Sequence, residues 1–331
     1  MGHSQTAPLP HDTYVFVMTD DERVFGDRFR VDVADVDRWS RIHLGSGVNA
    51  VLFCDGHLST VLGVELTSGA EVVVKIRPGV DRLHGCAAVH RWLFDRGFAC
   101  PEPLVDLEPM GGFVASAEAM VRGGDLYPRS GRSPQPFAVA LAQLLAQAPA
   151  PSQVSTLVPG HPWAAPDLSL LELWPPSDEI DVDLNAAGGP KWLDEAGWAA
   201  RNRLAASTSP LVVGHGDWYT GNLRWRGNDL HTVWDFDSMI AASEPVIAGL
   251  AAALYPASDF GTEATVEESA AFLDAYQDAR GPFSDDELSE AWAAGLWGRS
   301  FDAKVQSTTE GSPKSLTEGE AIERQRRADE G

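Results

Sequence analysis

In the segment Val213-Gly-His-Gly-Asp-Trp-Tyr-Thr-Gly-Asn222 a carboxylate is followed by a carboxamide in one loop, and Val233-Trp-Asp-Phe-Asp237 adds a second carboxylate after a short apolar run. Phosphoryl transfer to a hydroxyl needs such a set. A carboxylate must sit beside the attacking oxygen, and hard oxygen ligands must hold the magnesium that bridges the nucleotide phosphates. Asp217 can serve the hydroxyl, while Asn222 and Asp235 can hold the metal. Asp237 is either a second metal contact or a helix-capping residue.

A lone loop aspartate is ordinarily a turn residue or a cap. Here the surroundings matter more than the single residue. Leu211-Val-Val213 before the loop and Leu223 with Trp225 after it are strand-like, and His231-Thr-Val-Trp234 delivers Asp235 at a strand end.

The same order of roles occurs in the protein-kinase catalytic loop and its metal-binding aspartate. With Gly216 where protein kinases usually carry arginine, the segment resembles the aminoglycoside phosphotransferase and choline kinase superfamily. The resemblance spans roughly Leu44 to Phe301. It implies an α+β, bilobal protein-kinase-like fold: a small N-lobe with an antiparallel sheet over residues 1–121 and a larger, mainly helical C-lobe over 122–306. It also implies ATP or GTP as co-substrate, Mg2+ as cofactor, and a small hydroxyl-bearing acceptor such as an aminoglycoside, amino sugar or amino alcohol. His215 is then expected to pack and hydrogen-bond the loop rather than act as the base.

The remaining site residues are placed on elements. Lys75 lies in Glu71-Val-Val-Val-Lys-Ile-Arg77, an apolar run that marks a buried strand, where a lysine must snorkel or meet an anion. By resemblance it reaches the nucleotide phosphates. Thr60 to Leu66 and the Ser68-Gly69 turn form a hairpin with this strand. Gly45, Ser46, Gly47 and Asn49 resemble the phosphate-covering loop, at a longer distance from Lys75 than usual. A helix within Asp35–Phe53 would instead move that loop towards Gly63. The run Gly112–Val121 is the last N-lobe strand, Gly123-Gly124 a hinge, and by resemblance the backbone of Glu118, Ala119, Met120 and Val121 meets the adenine edge.

Some positions depart from the family pattern. A helix follows from Leu83 to Leu93, and where relatives carry a glutamate that pairs with the lysine, Cys86 stands here. Ser243-Glu244-Pro245 replaces a Gly-Asp-Pro, and Gly249 stands near an expected later aspartate.

Elsewhere the elements are well marked. Phe137 to Leu145 is Ala/Leu-rich and helical. Residues 149–187 form an irregular insertion whose Trp163 and Trp174 either pack or stack on a ring substrate, packing being preferred. Pro190 opens a helix towards Leu204. Thr265 with Glu268 and Ser284 with Glu287 match capping boxes. From Ser307 the polar composition predicts a disordered or frayed tail over 307–331.

Composition excludes several classes. A formal charge of −23 argues against nucleic acid and anionic membranes as partners. The acidity serves solubility first, and it also suits a cationic acceptor. No apolar run can cross a bilayer and no secretory signal is apparent, so a cytoplasmic setting is expected. Met1-Gly2 with Thr6 matches only the loose myristoylation pattern. Cys54, Cys86 and Cys100 lack metal-type spacing. The acceptor, ATP against GTP, and the oligomeric state stay open. Two competing readings are a non-catalytic nucleotide-binding relative, which Cys86 favours, and a dinucleotide-dependent oxidoreductase. The latter rests on Gly45-Ser-Gly-Val-Asn-Ala50 as G-x-G-x-x-A with Glu65 downstream.

Overall fold

The structure is a computed structural model that describes residues 31–55, 58–127, 133–158, 163–164, 166, 171–177, 180–258 and 262–331. The Met1-Gly2-Thr6 pattern lies outside these residues. The chain divides into two compact units, residues 1–78 with 108–120, and residues 79–107 with 121–331.

The first unit is built on a sheet. Helix α1 (Val33–His43) opens with the Asp32 carboxylate accepting from the Ala34 amide. Strands β1 (Val48–Asp55), β2 (Thr60–Leu66), β3 (Glu71–Arg77), β4 (Pro103–Met110) and β5 (Phe113–Ala119) form one sheet in the order β1-β2-β3-β5-β4. The pairings β1–β2, β2–β3 and β3–β5 are antiparallel. Strand periodicity explains the burial of β3: Val72, Val74 and Ile76 are buried on one face, which turns Val73 and Lys75 to the other. Gly69 at φ +84° makes the tight β2–β3 turn that the Ser68-Gly69 pair predicts.

The second unit is mainly helical. It holds α2 (Arg82–Phe94), α3 (Gln135–Gln147), α4 (Lys191–Ala205), α5 (Glu244–Leu254), α6 (Val266–Arg280), α7 (Asp285–Glu310) and α8 (Glu318–Glu330). Two small antiparallel ribbons carry the loops of interest: β6 (Leu211–His215) pairs with β9 (Met239–Ser243), and β7 (Leu223–Arg226) with β8 (Asp229–Val233). Both capping boxes form, at Thr265 and Ser284. Trp218, Trp225, Trp297, Tyr255, Tyr276, Phe137 and Phe272 are the largest aromatic groups fully enclosed here.

Helix α2, expected in the N-lobe, groups by contact with the second unit. Two further readings are corrected. The G-x-G-x-x-A run leads from the end of α1 into β1 of an antiparallel sheet, the reverse of the strand-to-helix turn that a dinucleotide fingerprint requires. Residues 307–331 are ordered: they complete α7 and form α8. Composition missed this because the buried groups that hold α8 are charged. Arg324 on α8 is fully enclosed and binds Glu320, Ser269 Oγ and the Ala264 carbonyl. Arg299 on α7 shares Glu320 and the same carbonyl.

The other departures also find their physical reasons. At Gly249 an added Cβ would lie 1.9 Å from the Ala291 carbonyl oxygen, so the α5–α7 crossing leaves no room for an aspartate there. Glu244, at the first turn of α5, accepts from the Tyr276 hydroxyl at 2.8 Å and pairs with Arg280 at 2.9 Å, tying α5 to α6. Trp174 is buried, donates to Asp194 at 2.7 Å and stacks on Trp297 at 5.6 Å; the Trp163 carbonyl accepts from Trp297. Trp163 is partly buried and packs against the same core, so packing accounts for both tryptophans of the insertion. Among the described residues no helix is long and apolar enough to cross a membrane.

Candidate active site

The loop after β6 is shaped by a buried histidine. Asp217 donates its amide to His215 Nδ1 at 3.2 Å, which leaves the imidazole proton on Nε2 to be donated to the Trp234 carbonyl at 3.1 Å. His215 is fully enclosed and meets Trp218 and Phe236 edge to face. It thus staples the Asp217 loop to the strand end before Asp235, the structural use expected of it.

Asn222 continues the connection. Its Nδ2 donates to the Asp217 carbonyl and to Asp217 Oδ2, each at 2.9 Å. With the amino group turned to Asp217, the amide oxygen is the acceptor end of the Asn222 side chain. The Asn222 backbone carbonyl accepts from the Trp234 amide at 2.9 Å. Asp217, Asn222 and Asp235 are thereby brought together by two backbone–backbone or side-chain ties through Trp234.

Asp235 has φ +58° and ψ 53° and is the one non-glycine residue with positive φ among those described. Aspartate tolerates this left-handed conformation better than most residues. The turn closes on itself: Ser238 Oγ donates to Asp235 Oδ2 at 2.6 Å and the Ser238 amide to the Asp235 carbonyl at 3.0 Å. The Ser238 carbonyl then accepts from the Gly216 amide at 2.8 Å, returning to the Asp217 loop. Asp237 follows in a short 3-10 turn (Phe236–Ser238), and its carbonyl is held by Arg82 and Cys86 of α2.

Sequence reasoning passed over several neighbours. Arg224 lies with its guanidinium 4.5 Å over the Trp234 ring, and Gly124 packs against Arg224 Cβ. An Arg two residues past Asn222 was a signal in the sequence, but its stacking partner is ten residues away, just past the end of β8. Arg82 and His90 on α2 also reach the Asp235 turn, and nothing in their spacing from Asp235 marks them.

In the first unit, Lys75 stands opposite Val61 on β2 and Ser116 on β5. Arg77 Nη1 donates to the Lys75 carbonyl and to Ser116 Oγ, both at 2.7 Å. Glu118 and Ala119 pair with Val73 and Val72, and the Met120 amide donates to the Glu71 carbonyl. Val121 begins the other unit. The sheet does not bring Gly45, Ser46, Gly47 and Asn49 to Lys75. Val48 pairs with Leu66, and the Gly47 carbonyl accepts from Thr67, so this turn sits beside the β2–β3 hairpin. Lys75 is four residues further along β3, roughly 13 Å away at the usual rise of a strand. Ser46 is occupied with Thr67 and the Ser68 amide, and Asn49 with Glu65. The end of β1 at Asp55, paired with Val61, shares the row of Lys75; of the connection 56–59 between β1 and β2, residues 56 and 57 lie outside the described residues.

Comparison with known proteins follows the same lines. The family described as "Phosphotransferase enzyme family" (APH) matches residues 53–291. No curated protein matches the chain in sequence. A spectinomycin phosphotransferase solved with ADP and spectinomycin is similar at TM-score 0.54 and 13% identity, covering 89% of this chain and 94% of that one. A choline/ethanolamine kinase family protein from Mesorhizobium loti is similar at TM-score 0.53 and 14% identity, covering 90% and 94%. An amicoumacin kinase solved with AMP-PNP and Ca2+ is similar at TM-score 0.52 and 13% identity, covering 85% and 87%. At these identities the likeness shows the protein-kinase-like fold.

Proposed function

The chain belongs to the APH phosphotransferase enzyme family, and from that premise we propose that it transfers the γ-phosphoryl group of ATP or GTP to a hydroxyl of a small molecule such as an aminoglycoside, amino sugar or amino alcohol. One arrangement carries this reading. Asp217 and Asn222 are hydrogen-bonded to each other in one loop, and that loop is tied through Trp234 to Asp235.

In this reading the acceptor oxygen forms a bond to the γ-phosphorus while Asp217 takes its proton. The bond from that phosphorus to the bridging oxygen breaks, and the nucleoside diphosphate leaves with the electron pair. Asn222 Oδ1 and the Asp235 carboxylate are the oxygen groups that would hold magnesium, and the ion would supply positive charge to offset that of the nucleotide phosphates. Lys75 is assigned to the nucleotide phosphates and the Glu118–Val121 backbone to the base edge. An acidic chain suits a cationic acceptor.

A second reading, nucleotide binding without turnover, is favoured by one observation: Cys86 occupies the position where the resemblance expects a carboxylate. A magnesium-dependent binding assay with ATP and GTP, followed by release of ADP or GDP over a panel of amino sugars, aminoglycosides and amino alcohols, separates the two. Binding with turnover supports the transferase, binding without turnover on any acceptor supports the second reading, and absence of magnesium-dependent binding overturns both.

A further inference from the structure

Three residues of α2 at successive helical turns grip the segment that follows Asp235. Arg82 donates Nη1 to the Met239 carbonyl at 2.9 Å and Nη2 to the Asp237 carbonyl at 2.5 Å. Cys86, one turn later, brings its Sγ to 3.4 Å from the Asp237 carbonyl and 3.7 Å from the Met239 carbonyl, and it lies 3.1 Å from Arg82 Nη1. Another turn on, the His90 ring stacks on Phe236 with centroids 4.1 Å apart and planes 6° from parallel. Residues four apart on a helix share a face, so one stripe of α2 holds the backbone and the one aromatic side chain of this turn.

The grip falls where the turn needs support. Asp235 is held in the left-handed region, a conformation that persists only when its surroundings over-determine it. Its carboxylate can present an oxygen to a metal only while the Phe236–Ser238 turn keeps its shape. Two hydrogen bonds from one guanidinium to carbonyls two residues apart are charge-assisted and so among the stronger ones available to a backbone. Cys86 belongs to this arrangement by size. A small side chain lets Arg82 reach past it to both carbonyls, and a glutamate at that position would set a carboxylate against the carbonyl oxygens of Asp237 and Met239.

We infer that Arg82 is a positioning residue for the metal-binding turn: by clamping the carbonyls of Asp237 and Met239 it holds Asp235 ready for magnesium. This rests on the transferase reading of Asp235. It gives α2 a task different from the one expected by resemblance, support of the metal turn from Arg82 rather than an ion pair to Lys75 from position 86.

The test uses the full chain and the non-hydrolysed nucleotide AMP-PNP, titrated with Mg2+ by calorimetry. Arg82→Ala should raise the Mg2+ concentration for half-maximal AMP-PNP binding by about tenfold, the loss expected for a charge-assisted hydrogen bond. Nucleotide affinity in EDTA should change by less than about twofold, since Arg82 is proposed to act through the metal turn alone. Arg82→Lys, which keeps the charge and one donor, should recover part of the Mg2+ dependence. Without metal, hydrogen exchange at the Ser238 and Gly216 amides should quicken in Arg82→Ala, because both amides bond within this turn. Should Arg82→Ala fail to fold, Arg82→Lys carries the comparison alone, with a shifted Mg2+ midpoint expected. A parent protein that binds AMP-PNP with Mg2+ and a variant that titrates identically would overturn the inference. So would equal losses with and without Mg2+. A parent protein showing no Mg2+-dependent binding at all would instead strike the transferase reading, and the two failures are thus distinguishable.

Discussion

The side-chain amide of Asn222 is shared between the carbonyl and the carboxylate of Asp217, 2.9 Å from each. The proposed base and one proposed metal ligand are therefore not independent. The hydrogen bond fixes the rotamer of Asp217 and, in the same act, decides which end of the Asn222 amide is offered to a cation. A change at either residue reaches the other.

Asp217→Ala should lower turnover by on the order of a hundredfold or more, the usual contribution of a positioned acid–base group. Binding of AMP-PNP with Mg2+ should stay close to that of the parent. Asn222→Asp is the sharper test of the coupling. A second carboxylate beside Asp217 disfavours double ionisation, so one carboxyl is pushed up. The acid limb of the pH–rate profile should move to higher pH, and an unmoved limb would show that the two side chains do not communicate.

Asp235 combines a ligand and a backbone role that substitution can separate. Asp235→Asn keeps a residue tolerant of positive φ and should leave the unfolding midpoint nearly unchanged while weakening Mg2+-dependent nucleotide binding. Asp235→Val forces a β-branched residue into the left-handed region and should destabilise by roughly 1–3 kcal/mol in addition. Asp235→Ala should weaken Mg2+ dependence more than Asn222→Ala, because a formal charge is lost with the ligand. Equal and negligible effects of these changes on a Mg2+ titration would remove both residues from the metal site.

Much of this site was legible because its signals are local. The loop from His215 to Asn222 and the strand end at Asp235 lie within about one ribbon of each other, and strand periodicity alone turned Lys75 away from the face of Val74 and Ile76. The capping boxes at Thr265 and Ser284 were equally plain. What sequence pattern could not supply were relationships between distant segments. Arg82 meets Met239 across 157 positions, and Arg299 and Arg324 meet at one carbonyl before α6, that of Ala264. Gly45-Ser-Gly47 imitated a phosphate loop in composition, while the register of β1 on β2 assigns it to the other end of the sheet. The α8 segment looked disordered because polar residues were scored as solvated, whereas two arginines there and on α7 are buried with their partners.

His90 should give the protein an acid-sensitive stability. Burial pushes its imidazole down from 6.5 to about 4, against smaller raising effects of the Pro101 carbonyl, Asp237 and Asp106, while Arg91 also pushes it down. A folded-state value below the unfolded one means that the unfolded chain binds the proton first. The contribution is complete above about pH 6.5 and is lost as pH falls towards 4, to an extent of roughly 3 kcal/mol. His90→Phe keeps a ring on Phe236 and removes this titration. Urea midpoints between pH 7 and 4.5 should fall less steeply in that variant, and parallel slopes would assign the acid sensitivity elsewhere.

The last prediction concerns α8. Arg299 is 4% exposed and Arg324 is 1% exposed at their side chains, and both contact the Glu320 carboxylate, at 3.2 and 2.9 Å. Burial, with the neighbouring Arg299 charge, pushes Arg324 down to about 10, so it stays protonated at neutral pH. Two enclosed cations thus lean on one carboxylate and on the Ala264 carbonyl. Glu320→Gln would leave both without their shared countercharge, and breaking a buried pair in this way typically destabilises by about 3–5 kcal/mol. Ending the chain after Thr317 should do at least as much, because it uncovers Arg299 and removes the Ser289 hydrogen bond to Ala328. Urea unfolding of the full chain, Glu320→Gln and the shortened chain should show that order. A shortened chain as stable as the full one would mean that α8 lies on the protein without holding it.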